Sequence, residues 1–227
     1  MKKISIIGCG WLGLPLSESL KKEHEVECFS RVDTKEDSPF WQADTLIISI
    51  NTKDNYLNTL QSIAERAKPS AYIILMSSTS VYREFDTEVD ENSIIKDIKL
   101  QREAELFLDE VRENILILRL GGLMGDDRIS GKWKSISTFS DGPVNYIHKQ
   151  DVINITKRFI ELEKKGVFNL VAPLHPLRSE IHKKNCEKFG FELSSFEGKT
   201  KRVVISDKLV KELNYKFIYP DPLEFWN

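Results

Sequence analysis

The sequence predicts an α/β fold built on a parallel sheet, and three observations carry this prediction. Short runs rich in Ile, Val and Leu recur along the chain without polar alternation, as expected for strands buried on both faces. Amphipathic stretches with apolar residues three and four apart lie between these runs. Strand–helix alternation with right-handed crossovers indicates a Rossmann-like, doubly wound sheet with helices on both faces.

The predicted elements follow one another over most of the chain. Strands are expected at Lys3–Ile7, Glu25–Phe29, Thr45–Ile50, Ala71–Met76, Ile115–Leu118 and Val167–Leu170, and helices at Leu12–Lys22, Asp54–Ala67, Ile98–Arg112 and Asp151–Lys164. The segment from Ser30 to Ala43 is too short and too polar for a full crossover helix. The sheet is therefore expected to be abbreviated there, or joined by a loop with one helical turn.

Two regions are distinguished by composition. Residues 1–120 are expected to form the main domain, which carries the alternating pattern. In residues 121–227 glycines, prolines and aromatics become frequent, and this part is expected to complete the sheet and form a small C-terminal substrate-side lobe, the whole being one compact unit.

Composition and charge narrow the function classes. The 227 residues include 33 Lys and Arg against 35 Asp and Glu, a formal charge of -2 that gives no electrostatic case for nucleic acid. The longest apolar runs are far short of the ~20 residues that span a bilayer, so no membrane partner is expected. Three cysteines (Cys9, Cys28, Cys186) are too few for a disulfide framework or a zinc site, which favours a reducing, cytoplasmic setting and no metal. The basic start MKK and the apolar stretch ISIIGCGWLGLPL imitate a signal peptide. The charged segment SESLKKEHE follows without a small-residue cleavage site, so a signal peptide is not expected.

A glycine pattern at the first strand end predicts nucleotide binding. Gly8, Gly10 and Gly13 form G-x-G-x-x-G between an apolar strand and a helix. In such a turn the first glycine permits the bend, the second lets the backbone approach a pyrophosphate, and the third lets helix and strand pack closely. The alternative is a glycine-bearing turn without ligand. The expected cofactor-binding residues are Gly8, Gly10, Trp11, Leu12, Gly13, Ser30, Arg31, Asn51 and Ser77.

The end of the second strand bears on the choice between NAD and NADP. NAD binding calls for a carboxylate there, but the strand ends in Ser30-Arg31 and the first carboxylate, Asp33, lies beyond it. Arg31 matches the geometry of a 2′-phosphate, so NADP is favoured over NAD; the alternative is a solvated surface arginine.

Several ordered segments resemble one known superfamily. The glycine turn, MSSTSVYRE, LRLGGLMGDDR and VNYIHKQDV are similar to the extended, atypical short-chain dehydrogenase/reductases of NAD-dependent epimerase/dehydratase type. FNLVAPLHPLR and YKFIYPDP resemble a compact bacterial subgroup labelled nucleoside-diphosphate-sugar epimerase-like. The resemblance covers nearly the whole chain. It implies an NAD(P)-binding oxidoreductase or epimerase acting on a small polar substrate, phosphorylated or nucleotide-linked.

The resemblance also implies catalytic residues, with one departure. Ser78 stands at the family's catalytic Ser/Thr position with Thr79 beside it; the alternative is a Ser/Thr cluster that satisfies backbone groups. The family's Tyr-x-x-x-Lys pair is incomplete, since Lys99 takes the Lys position and Ile95 the Tyr position. An alignment two residues along gives Gln101 and Asp97, which does not restore the pair.

Four residues are expected on the substrate side. They are Tyr82, Gly122, Arg128 and His148, with the alternatives of a packing aromatic for Tyr82, a surface salt bridge for Arg128 and a structural histidine for His148. Tyr82 and Tyr146 are conceivable substitutes for the missing tyrosine, and for each the alternative is a packing aromatic. The leading interpretation is an enzyme, monomeric or homodimeric; the second is an NAD(P)-binding sensor that has lost catalysis and reports nucleotide state to a partner.

Overall fold

A computed structural model describes residues 1–30, 38–52, 55–83, 87–95, 99–133 and 138–227. The strands are β1 (Lys3–Ile7), β2 (Glu25–Phe29), β3 (Thr45–Ile48), β4 (Tyr72–Ser78), β5 (Glu88–Val89), β6 (Ile115–Leu120), β7 (Gly122–Met124), β8 (Thr138–Asp141), β9 (Tyr146–His148), β10 (Gly166–Leu170), β11 (Ser195–Lys199) and β12 (Val203–Val204). The helices are α1 (Gly13–Leu20), α2 (Tyr56–Arg66), α3 (Leu100–Val111), α4 (Lys149–Leu162), α5 (Arg178–Phe189) and α6 (Asp207–Leu213).

A six-stranded parallel sheet in the order β10-β6-β4-β3-β1-β2 confirms the predicted fold class. β1 pairs in parallel with both β2 and β3, and β3 pairs in parallel with β4. The six strands are those that the apolar runs predict, and the first four helices lie where the amphipathic stretches place them, with ends displaced by a few residues.

The strand order explains the short connection after β2. The common doubly wound order has an additional strand outside the second one. Here β2 is the outermost strand on its side of the sheet among the described residues, and over that part of the chain the predicted abbreviation is confirmed. The part of this connection that the structure describes contains a short 3-10 turn at Pro39–Gln42, as the alternative with a helical turn anticipates. The chain leaves β1 for β2 on one side and returns to β3 on the other, which places the switch point at the carboxyl end of β1.

The chain divides into two compact units, and neither is one continuous segment. The first contains Met1–Val81, Ile98–Arg119 and Ile153–Phe168. Its core packs strand residues such as Leu46 and Ile73 against Leu60 of α2 and Leu108 of α3, all at most 1% exposed. Full burial of side chains of this size contributes about 1.5–3 kcal/mol each.

The second unit contains Tyr82–Asp97, Leu120–Val152 and Asn169–Asn227. Its described residues form three two-stranded sheets, β7 with β9, β8 with β11 and β5 with β12. Its core includes Met124, Tyr146, Ile181 and Trp226. Across both units, none of the described helices is long and apolar enough to cross a membrane.

Candidate functional site

The turn after β1 requires glycine at its first position. Gly8 has φ +106°, and a Cβ atom there would lie 2.1 Å from the carbonyl oxygen of Ser49. A side chain is therefore excluded both by the backbone conformation and by the end of β3. This turn lies at the switch point of the sheet, where open α/β sheets bind ligands.

Gly13 and Gly10 meet two different requirements. A Cβ atom on Gly13, the first residue of α1, would lie 2.0 Å from the carbonyl oxygen of Gly8. A Cβ atom on Gly10 would meet nothing within 4 Å, and Gly10 is exposed. Leu14 donates the first helical hydrogen bond, to Gly10 at 3.0 Å. The turn thus leaves open space at the amino end of α1, where the helix dipole attracts anions, and this space fits the pyrophosphate of a dinucleotide.

The same turn is tied to β2. The N–H groups of Gly8 and Cys9 both donate to the carbonyl oxygen of Phe29, at 2.8 and 3.2 Å. A disulfide also joins Cys9 to Cys28, with Cα atoms 5.7 Å apart. The expectation of reduced cysteines is therefore wrong for this pair. A sequence separation of 19 hides the contact in the sequence, but the sheet pairs Ile6 with Cys28 and so brings the end of β2 beside the turn.

The other predicted cofactor residues occupy neighbouring strand ends. Ser30 is exposed after β2, and Asn51 is exposed after β3. Trp11 is half-buried, whereas Leu12 is 5% exposed and offers a ligand little more than its backbone. Arg31 lies outside the described residues, so its predicted contact with a 2′-phosphate stays a prediction.

Ser78 and Lys99 meet at the carboxyl end of β4. Ser78 is half-buried, and its Oγ accepts from the N–H of Ser80 at 3.1 Å. The exposed Lys99, which precedes α3, donates from Nζ to the carbonyl oxygen of Ser80 at 2.6 Å. Thr79, between the two serines, is 5% exposed. The predicted serine and lysine therefore both make a hydrogen bond with the backbone of Ser80, which follows β4.

Ser80 and Glu105 are two polar residues without a predicted role. The buried Oγ of Ser80 has no hydrogen-bond partner among the described residues. Glu105 of α3 is 1% exposed and accepts from Ser77 Oγ at 2.6 Å. Its carboxylate also accepts two bonds from Arg119, at 3.0 and 2.7 Å, and one from Arg102 at 3.1 Å. The hydroxyl of Ser77 thus donates to Glu105 in this interior network. The predicted contact of Ser77 with the cofactor would therefore have to come from its backbone.

Two buried tyrosines of the first unit, Tyr56 and Tyr72, are held in the protonated form. Burial raises the pKa of Tyr56 to about 12, and the nearby Glu105 charge acts in the same direction. Burial, followed by the Glu163 charge, raises the pKa of Tyr72 as well. In the second unit Tyr82 is 2% exposed and donates to Asn169 Oδ1 at 2.9 Å, while the Tyr146 hydroxyl lies 3.0 Å from Ser130 Oγ. These placements favour packing roles for Tyr82 and Tyr146.

The remaining substrate-side residues lie in the second unit. His148 is 6% exposed, its ring stacks on Tyr219 with centroids 3.7 Å apart, and Nδ1 accepts from the N–H of Gln150 at 3.2 Å. Burial lowers its pKa, against a smaller opposite effect of Asp151. The structural alternative is thus favoured for His148. Arg128 is exposed in a tight turn closed by backbone hydrogen bonds with Gly125.

Gly122 begins β7 and is exposed. A Cβ atom there would lie 2.7 Å from the ring of Tyr146, so close packing within the unit explains this glycine. Substrate contact by Gly122 or Arg128 stays a prediction.

Comparison with known proteins places the chain by its fold. No family model matches it. It is 28% identical to Protein YeeZ of Escherichia coli strain K12, over 98% of each chain. The human epimerase family protein SDR39U1 with NADPH has a TM-score of 0.78 at 16% identity, covering 98% of this chain and 97% of that one. UDP-N-acetylglucosamine 4-epimerase from Bacillus cereus has a TM-score of 0.74 at 15% identity, covering 99% and 97%. The chain has the fold of the NAD-dependent epimerase/dehydratase proteins in the extended short-chain dehydrogenase/reductase superfamily, as the sequence resemblance predicts.

Proposed function

We propose that this chain binds NAD(P) at the glycine turn and acts as an oxidoreductase or epimerase on a small polar substrate of the nucleotide-sugar class. One observation carries the proposal: Gly8 and Gly13 are required by backbone contacts, whereas Gly10 leaves open space at the amino end of α1. That arrangement is what a pyrophosphate needs. The names of structural neighbours, one with NADPH and one a sugar-nucleotide epimerase, support the cofactor and the substrate class. We also propose a cytoplasmic location, in which the Cys9–Cys28 disulfide would be transient and not a permanent crosslink.

The proposed mechanism assigns a task to each side chain at the strand ends. NAD(P), when bound, accepts or supplies the hydride. The turn and the amino end of α1 hold the pyrophosphate, and Ser78 donates a hydrogen bond that orients the reacting oxygen of the substrate. Lys99 uses one N–H on Ser80, which leaves two donors to stabilise negative charge that develops on that oxygen. With Ile95 at the tyrosine position, the proton carrier is a group other than the family's tyrosine.

We further propose that NADP is the preferred cofactor, because Arg31 follows the second strand in place of a carboxylate. The matched test compares NADPH and NADH binding to the wild type and to Arg31→Ala. Loss of NADPH affinity without loss of NADH affinity is the expected result, and a preference for NADH in the wild type would refute it.

A fluorescence titration of the purified chain with NADPH tests the site itself. Gly10→Asp places a carboxylate in the open space, whereas Gly10→Asn places a group of the same size without charge. Repulsion between the carboxylate and the pyrophosphate predicts that the Asp variant binds at least ~10-fold more weakly than the Asn variant, about 1.4 kcal/mol. Equal affinities would remove the pyrophosphate from this turn, and absence of binding by the wild type would overturn the proposed function.

The missing tyrosine favours a second candidate function. A chain that retains the turn and lacks the family's base could bind NAD(P) and report its presence to a protein partner. Ser78 and Lys99, held together at the strand end, favour the enzyme, since a sensor needs neither. Recovery of a stoichiometric partner only in the presence of nucleotide, with no turnover of sugar-nucleotide substrates, would favour the sensor.

A further inference from the structure

We propose that Cys9 and Cys28 form a reversible redox site through which thiol reductants set the nucleotide affinity of the glycine turn. The inference rests on the proposed function, because it gives a means of control to the site that would bind NAD(P). The bridge joins the middle residue of Gly8-Cys9-Gly10 to β2, the strand that Ser30 follows, so it lies within the candidate cofactor site.

The position of the bridge separates it from an ordinary structural crosslink. The sheet already pairs β1 with β2 along their whole lengths, from Lys3 opposite Glu25 to Ile7 opposite Phe29. Two N–H groups of the turn also bond to Phe29. The bridge therefore adds little to strand pairing. What it constrains is the turn after β1, because Cys9 lies beyond the last paired residue, Ile7.

Both cysteines are half-buried, so a reductant can approach them. In the reducing, cytoplasmic setting proposed above, a protein disulfide is typically transient and either catalytic or redox-sensing. The third cysteine, Cys186, is free and lies on α5 in the other unit. It therefore serves as an internal control.

The chemistry is thiol–disulfide exchange with a dithiol reductant of the thioredoxin or dithiothreitol class. A thiolate of the reductant attacks one sulfur of the bridge, forms a mixed disulfide and releases the other cysteine as a thiolate. The second thiol of the reductant then displaces the remaining cysteine. Two electrons pass to the protein, two protons complete the thiols, and the reductant becomes a disulfide. A low-molecular-weight disulfide such as oxidised glutathione reverses the exchange.

The structure shows the bridged form, and in it a Cβ atom on Gly10 would meet nothing within 4 Å. Fixing the turn in this shape removes conformational freedom that binding would otherwise have to remove, which is the general basis of preorganisation. Reduction frees the Cys9 side chain while the backbone bonds to Phe29 remain, so the turn loosens without collapsing. The expected effect is a loss of NADPH affinity of roughly fivefold on reduction.

The experiment measures two readouts on oxidised and reduced full-length protein. NADPH affinity is measured by fluorescence, and hydrogen exchange of a peptide covering residues 8–13 is measured without nucleotide. Alkylation and peptide mass mapping establish the thiol state of each sample. Cys28→Ser and Cys9→Ser, two independent ways to remove the bridge, should reproduce the reduced wild type and ignore reductant. Cys186→Ser should respond as the wild type does.

Each outcome decides a different claim. Faster exchange of residues 8–13 together with weaker NADPH binding after reduction supports the proposal. Identical exchange and affinity in the two forms overturns it, as does tighter binding by the reduced form. If neither form binds NADPH while hydrogen exchange still differs between them, the proposed function fails, and control of nucleotide affinity fails with it. If both forms bind NADPH and their hydrogen exchange is the same, the redox proposal alone is overturned.

Discussion

Removal of the Glu105 charge should destabilise the fold more than any surface change of the same kind. Glu105→Gln keeps the size of the side chain but replaces the carboxylate that pairs with the buried guanidinium of Arg119, 2% exposed, by a neutral amide. Breaking a buried ion pair from one side costs about 3–5 kcal/mol, because a desolvated charge is left behind. At roughly 2–4 °C per kcal/mol for a chain of this size, the midpoint of thermal unfolding should fall by about 10 °C.

The matched control is Glu161→Gln. Glu161 makes an ion pair with Arg158 at 2.7 Å, but both side chains are about half exposed, so the same substitution should cost less than about 1 kcal/mol. Urea unfolding of the variants, with the slopes compared, gives the differences in free energy. Equal losses for Glu105→Gln and Glu161→Gln would refute the assignment of a buried, energetically coupled pair.

A double variant separates the charge from the packing. Glu105→Leu with Arg119→Met removes both ions and retains most of the volume, which in buried pairs is often neutral or stabilising. Here the Ser77 hydroxyl would lose its acceptor, at a cost of about 1–3 kcal/mol. The double variant should therefore be more stable than Glu105→Gln, and a double variant that is less stable would show that the network contributes through more than charge pairing.

Two further predictions concern packing and pH. Gly13→Ala should lower the free energy of unfolding by about 1–3 kcal/mol, because the new Cβ atom would meet the carbonyl oxygen of Gly8. Gly10→Ala should lower it by less than about 1 kcal/mol, because the space beside Gly10 is open. Equal losses for the two variants would contradict the different packing of the two glycines. Burial, with a smaller effect of Arg178, lowers the pKa of His182 to about 4, so between pH 4 and about 6.5 the unfolded chain binds a proton that the folded chain does not. His182 therefore contributes stability that is present above pH 6.5 and is lost as the pH falls towards 4, by up to about 3 kcal/mol. His182→Phe should flatten the unfolding free energy over this range, and an unchanged pH profile would contradict the neutral buried ring.

The parts of the fold that the sequence predicts are those with local signals. β3 reads TLII and β6 reads ILILRL, and such runs are recognisable without knowledge of their neighbours. By contrast, β8 and β11 are TFSD and SFEGK, short strands with exposed polar residues and no clear alternation of apolar and polar residues in the sequence. α5 is mostly polar and buries only Ile181, His182 and Asn185, so its apolar face is too narrow for a periodicity argument.

The site divides in the same way. The glycine roles were predictable because each backbone constraint selects the residue type directly, and the structure shows the constraint at Gly8 and Gly13. Glu105 could have been found, since it lies three residues before Leu108 on the buried side of α3, where an isolated acid requires a partner. The partner Arg119 and the Cys9–Cys28 pair could not, because both depend on which strands and helices are neighbours.

The abbreviated sheet has a consequence for the surface of the protein. β2 is an edge strand, and among the described residues no other strand pairs with its outer side. Unpaired backbone groups in such a row can recruit strands from other molecules. Glu25 and Glu27 are both exposed on this strand, so a second copy docked edge to edge would bring like carboxylates together. The charges of Glu25 and Glu27 therefore disfavour aggregation through the exposed edge of the sheet.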